Sequence, residues 1–256
     1  MDEEYQELRM GYPMRVSRRH FLGTAAGAAA ALLPMPTPTG SSQVSLPSVD
    51  CALLDLGTGC ALPESCAGYE AALKSSGRRY VRASAGILPR CRAAIVPGLM
   101  VTEPEVARSV AAWLKSGGLL VLESGGGFAA AAAFDEHRRF LDAHFDLQVE
   151  RPIHVWQEGG GLCRAKSGVP YVEYTWPLRA QVRDFSRAVP LCGEGAVGRS
   201  SGQIIGQIIG WIGARPVAVK RVVGKGALVF LGSPLGPTLL AGDREARGWL
   251  GGLLAV

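Results

Sequence analysis

The chain has 256 residues, 48% of them hydrophobic, a net charge of +5 and a mean hydropathy of +0.16. That is enough apolar material for one sizeable core or two small ones. The longest apolar run, 21–33, is too short and too Ala-rich for a membrane span, which excludes a polytopic membrane protein. The basic residues are scattered, with no dense run and no interleaved aromatics, so the surplus reads as solvated surface and nucleic acid is not expected as a partner.

The first segment carries its own signal. Arg9, Arg15, Arg18 and Arg19 are balanced by Asp2, Glu3, Glu4 and Glu7, so the whole net charge belongs to the chain beyond residue 40. The stretch Ser17-Arg18-Arg19-His20-Phe21-Leu22 has a small polar residue, paired arginines, a variable position and Phe-Leu, followed by a weakly apolar run. It resembles a twin-arginine signal peptide, an address read by a receptor. The resemblance implies the twin-arginine export machinery as a partner and a periplasmic or cell-envelope location, with membrane contact only through the leader if it is not cleaved. No Ala-x-Ala site stands at the expected place, so the cut falls in the linker or the leader stays as an anchor. Residues 34–48 are rich in Pro and Ser and read as an extended linker. The expected organisation is therefore signal peptide 1–33, linker 34–48 and folded domain 49–256.

Within that domain, apolar runs alternate with helical patterns. Strands are expected at 49–56, 80–81, 93–96 (stopped by Pro97-Gly98) and 119–122, and helices at 64–75, 103–115 (capped by Thr102) and 129–145. The second half is richer in strand, at 147–156, 171–176, 217–223 and 227–231, before a closing helix at 244–254 capped by Asp243. The βαβ alternation predicts an α/β fold, a parallel sheet with helices on both faces in the flavodoxin-like manner, with a more β-rich second half. Ligands of such sheets sit beyond the carboxyl ends of the strands. Gly57 to Gly59, Pro97-Gly98, Ser124 to Gly127 and Gly232-Ser233-Pro234 fall there.

Cys51, Cys60, Cys66, Cys91, Cys163 and Cys192 include no CxxC pair, so no metal site is assigned. Cys60 with Cys66 and Cys163 with Cys192 are the disulfide candidates, with buried free thiols as the alternative. The turn Asp55-Leu56-Gly57-Thr58-Gly59 resembles the first motif of methyltransferases using S-adenosylmethionine, and a dinucleotide fingerprint. Both need an acidic residue at the end of the second strand, where Val81-Arg82-Ala83 stands. No cofactor is assigned.

From 49 to about 145, the Pro97-Gly98 turn, the helix with Gly117-Gly118, and a strand delivering Ser124, Gly125, Gly126, Gly127 and Phe128 come in a set order. That set resembles the class I glutamine amidotransferase-like superfamily, closest to the N-terminal domain-like variant of biotin-protein ligases. The resemblance implies a nucleophile elbow, with Ser124 where the family has cysteine. The family's downstream histidine is missing from Leu231-Gly232-Ser233-Pro234, so glutaminase chemistry is not expected. His137 and His144 are read on an exposed or half-buried helix face, and His154 on a strand. The leading expectation is an exported amidotransferase-like domain binding a small molecule or an envelope protein at Gly98, Ser124, Gly125 and Gly126. A serine hydrolase with Ser124 as nucleophile, and Glu123 beside it as a base, is the alternative, and an interaction domain the third. Tyr174, Trp176, Arg183 and Asp184 form a second polar-aromatic candidate, suited to a sugar ring or a stacked cation, against the plainer reading of inward-packed aromatics and a surface ion pair.

Overall fold

The computed structural model describes residues 49–56, 63–124, 128, 130–154, 170–184, 187–192, 199–200, 203–204 and 206–256. The leader, the linker, the Gly57 to Gly59 turn, Gly125, Gly126, Cys60 and Cys163 lie outside them, and both disulfide pairings with them.

The first half alternates as its apolar pattern predicts. It runs β1 (Val49–Leu54), α1 (Pro63–Ser75), β2 (Tyr80–Ala83), a short 3-10 segment (Ala85–Arg90), β3 (Cys91–Leu99), α2 (Pro104–Ser116), β4 (Leu119–Ser124) and α3 (Ala131–Phe145). The second half is strand-rich: β5 (Ile153–His154), β6 (Tyr171–Tyr174), β7 (Ala180–Arg183), β8 (Arg187–Ala188), β9 (Arg199–Ser200), β10 (Gln203–Ile204), β11 (Gly206–Ile212), β12 (Arg215–Val223) and β13 (Gly226–Leu231). Two helices follow, α4 (Gly236–Leu240) and α5 (Arg244–Leu253).

Nine strands form one sheet in the order β2-β1-β3-β4-β13-β12-β11-β6-β7. From β2 to β13 every neighbour is parallel, and from β13 to β7 every neighbour is antiparallel. The expected parallel sheet is thus half of a mixed one. The physical reason is the hairpin of β12 and β13, turned at Gly224 and Lys225. Gly224 there holds φ +63°, a conformation that favours glycine.

Side chains of β4 and β13 alternate between two cores. Val121, Val229 and Leu231 face one, with Tyr69 of α1, Leu239 of α4 and Trp249 of α5. Leu120, Leu122, Leu228 and Phe230 face the other, with Trp113 of α2 and Phe140 and Leu141 of α3. Burial on both faces is why these strands read as unbroken apolar runs. Each fully buried large side chain, such as Trp249 or Phe230, contributes about 1.5–3 kcal/mol of transfer free energy.

Local corrections have local causes. β3 runs through Pro97-Gly98 to Leu99, with an irregular register after Val96 and Gly98 at φ 52°. Glu103, not Thr102, is the N-cap of α2, because the Thr102 hydroxyl donates to the Leu56 carbonyl. Of the strand expected at 147–156, the described residues, 147–154, hold a Val149 bridge and β5. Asp243 does cap α5, accepting from the Ala246 N–H at 3.0 Å. At the end of α3, the buried Arg221 of β12 donates to the carbonyls of Phe145 and Asp146 and to the Asp146 carboxylate.

Candidate functional site

Ser124 ends β4 in the centre of the sheet, as expected, but its side chain is 0% exposed. Its hydroxyl lies 2.8 Å from Nε2 of His137, and Nδ1 of the same ring contacts the Met100 carbonyl. A carbonyl only accepts, so Nδ1 carries the proton, Nε2 accepts, and Ser124 donates. His137 is fully buried rather than on an exposed helix face, packed against Phe128 with ring centroids 5.0 Å apart. Burial pushes its pKa down to about 4, with the Met100 contact opposing. The imidazole is neutral and has all its hydrogen bonds inside the fold.

Glu123 points to the opposite core. Its carboxylate accepts from the Ser65 hydroxyl at 2.5 Å, the Tyr69 hydroxyl at 2.7 Å, and the N–H groups of Leu235 and Gly236 at 2.9 and 3.1 Å. Burial raises its pKa, while those four donors act the other way. The donors come from the first turns of α1 and from the approach to α4, so this carboxylate ties two helices to the sheet. It is not aimed at Ser124 as a base.

The polar-aromatic candidates are scattered. Tyr174 is buried, stacked on Trp249 at 4.2 Å, and its hydroxyl is pushed far up by burial and then by Asp184 and Glu123. Asp184 is buried and accepts from the Ser233 hydroxyl at 2.7 Å. The Arg183 side chain is exposed, and its carbonyl accepts from the Thr238 hydroxyl at 2.7 Å. Trp176 lies elsewhere, half-buried, with Nζ of Lys220 4.0 Å from its ring centroid. The expected surface Arg-Asp pair is therefore one exposed and one internal residue.

Gly98 borders open space at the strand ends. It lines a pocket of about 290 Å³ at the carboxyl ends of β1 and β3. Leu54, Leu56, Pro63 and Val96 supply apolar walls, and Asp55, Glu70 and Arg82 the charges. Arg82 stands between the carboxylates, at 3.6 Å from Asp55 and 3.7 Å from Glu70. The sequence offered one hint, an arginine at the end of β2 where a nucleotide-binding fold carries an acid.

No family model matches the chain, and no curated protein matches it. Solved structures do. A β-galactosidase from Bacillus circulans sp. alkalophilus is 14% identical with a TM-score of 0.52, over 80% of this chain and 31% of that one. A β-galactosidase from Rahnella sp. R3 is 12% identical with a TM-score of 0.53, over 81% and 31%. An exo-β-1,4-mannosidase from Opitutaceae bacterium strain TAV5 is 10% identical with a TM-score of 0.50, over 81% and 35%. This chain thus spans about a third of the length of these three proteins. These likenesses correct the glutamine amidotransferase-like resemblance: the fold is shared with a part of each of these three glycoside hydrolases. The function drawn from that resemblance is corrected with it, and the Ser124 side chain expected to face a crevice is buried.

Proposed function

We propose that this chain is an exported carbohydrate-binding domain, related in fold to a part of glycoside hydrolases. It takes a neutral sugar in the pocket bounded by Gly98, Asp55, Glu70 and Arg82. The observation that carries the proposal is Arg82 bridging two carboxylates against an apolar wall at the strand ends. A pyranose offers hydroxyls that both donate and accept, and a C–H face. Carboxylates accept from the first, a guanidinium donates to the second, and Leu54, Leu56 and Pro63 meet the third.

A binding role suits the carboxylates better than hydrolysis does. Glycoside hydrolysis uses two carboxyl groups facing a substrate across a cleft. Among the described residues the buried carboxylates are Glu123 and Asp184, and both accept hydrogen bonds from their own fold. Asp55 and Glu70 both contact the same arginine. The strand order β2-β1-β3-β4-β13 supports a flavodoxin-like reading of the parallel half, whose ligands lie at this end of the sheet.

Calorimetric titration with galactose, mannose and lactose tests the proposal, alongside an assay of nitrophenyl glycosides. The expected result is saturable binding that Arg82→Ala weakens at least tenfold, about 1.4 kcal/mol, with no turnover. Turnover that disappears in Asp55→Asn or Glu70→Gln would make the pocket catalytic instead, and absence of binding to all three sugars would remove it.

A further inference from the structure

At the other end of the same strands lies a second cavity, of about 640 Å³. Its floor is made by the first residues of β1, β3, β4 and β13, and Trp176, Val222 and Leu254 stand around it. Five cations line it, Arg78, Arg90, Arg92, Lys220 and Lys225, against the side-chain carboxylate of Asp50. Asp50 is already bonded to Arg79, at 3.3 Å and through the Arg79 N–H.

The five do different things. Arg78 donates to the carbonyls of Leu254 and Gly251 at 3.1 and 3.0 Å and so closes the end of α5. Arg92 reaches the Val256 oxygen at 2.7 Å. Lys220 lies over the Trp176 ring. Arg90 and Lys225 have exposed side chains, and among the described residues neither makes a side-chain hydrogen bond or ion pair. The fold therefore accounts for Arg78 and Arg92, while Arg90 and Lys225 face the cavity with their donors unspent.

Gathering like charges around a concave surface is unfavourable without an anion, and a concave wall of low dielectric focuses their field. The wall here is not a uniformly charged strip. It mixes cations with Trp176, Leu119, Val222 and Leu254, which suits a ligand that carries charge on a ring with an apolar face.

We infer that this cavity is a second binding site, for an acidic saccharide bearing carboxylate or sulfate groups. Arg90 and Lys225 receive the anionic group, and the Lys220–Trp176 pair borders the ring. The inference rests on the proposed carbohydrate role for its ligand class, but it uses residues at the opposite end of the strands. The two sites can therefore fail separately.

The test is titration of the full domain with a galacturonic acid disaccharide, with galactose and inorganic phosphate as comparison probes, at low and at physiological salt. The disaccharide is expected to bind, more weakly at higher salt because exposed charges are screened. Arg90→Glu with Lys225→Glu is expected to weaken it at least tenfold while leaving galactose binding unchanged, and Arg82→Ala to do the reverse. Both reversed residues are exposed, and a circular dichroism melt matching the parent shows that the fold is kept; should the double variant unfold, the single changes to Gln replace it. Phosphate binding as tight as the disaccharide's would reduce the site to an anion hole and overturn the saccharide assignment. Disaccharide binding indifferent to Arg90 and Lys225 would overturn the site.

Discussion

His137 is a neutral base buried between a hydroxyl and a carbonyl, and that makes acid a specific threat to the fold. Its pKa falls from 6.5 in the unfolded chain to about 4 in the folded one. Between those values the unfolded state binds a proton that the folded state refuses, so stability present above pH 6.5 is lost as pH falls toward 4. At about 1.4 kcal/mol per pH unit the full loss approaches roughly 3 kcal/mol. Glu123 works in the opposite sense, because its raised folded pKa favours proton uptake by the native state. The contribution of His137 is thus read as a difference. Urea midpoints measured from pH 7.5 to 4 are expected to fall more steeply for the parent than for His137→Gln, and parallel curves would mean that the ring is not buried as described.

At the scale of elements, the anchoring of α1 depends on two glycines. A Cβ on Gly68 would sit 1.8 Å from the Gly236 carbonyl oxygen, and one on Gly236 would sit 2.2 Å from the Ser65 Cα. Both obstacles are backbone, so neither can rotate aside. Gly68→Ala must push α1 and α4 apart, which also draws the Leu235 and Gly236 N–H groups off Glu123. Overpacking of this kind costs about 3 kcal/mol, and a thermal melt is expected to shift down by roughly 10 °C for a chain of this size; an unchanged melt would show that the helices do not meet there. Much at this scale was legible in the sequence. The buried strands of the parallel half were plain because two apolar faces leave no alternation to misread, and Asp243 was plain because an N-cap is a local bond. Thr102 was misread because its hydroxyl is drawn to the end of another strand, a tertiary competitor that no local pattern announces. β7, β11 and α4 were not anticipated: β7 and α4 are short, and β11 sets Gly206 and Gly210 among its apolar residues without a clean alternation.

For the whole molecule, the sequence placed both Gly98 and Ser124 at the strand ends, where the structure has a pocket beside the first and a buried side chain at the second. Strand ends follow from the pattern of elements, and Gly98 does border the strand-end pocket. Which side chain faces the opening depends on α1 and α3. α3 carries His137 onto Ser124, while α1 leaves Glu70 beside Arg82. The spacing of Ser65, Tyr69 and Glu70 in α1 held a usable signal: positions four apart share a face, so Ser65 and Tyr69 both reach Glu123 and the next residue turns outward. The proposed exported setting is tested on the intact chain. Arg18→Lys together with Arg19→Lys is expected to keep a reporter fused after the domain in the cytoplasm, and delivery unaffected by the pair would remove the twin-arginine address.

β13 holds the two halves of the sheet together, bonded to β4 on one side and β12 on the other. A nascent chain that has emerged from the ribosome only as far as β12 has both of those strands with an unpaired edge. Neither core can close until residues 226–231 have been translated and slid between them. Maturation is therefore a late, nearly all-or-none event, and a half-made chain is a substrate for chaperones, which cover such edges until the missing strand arrives.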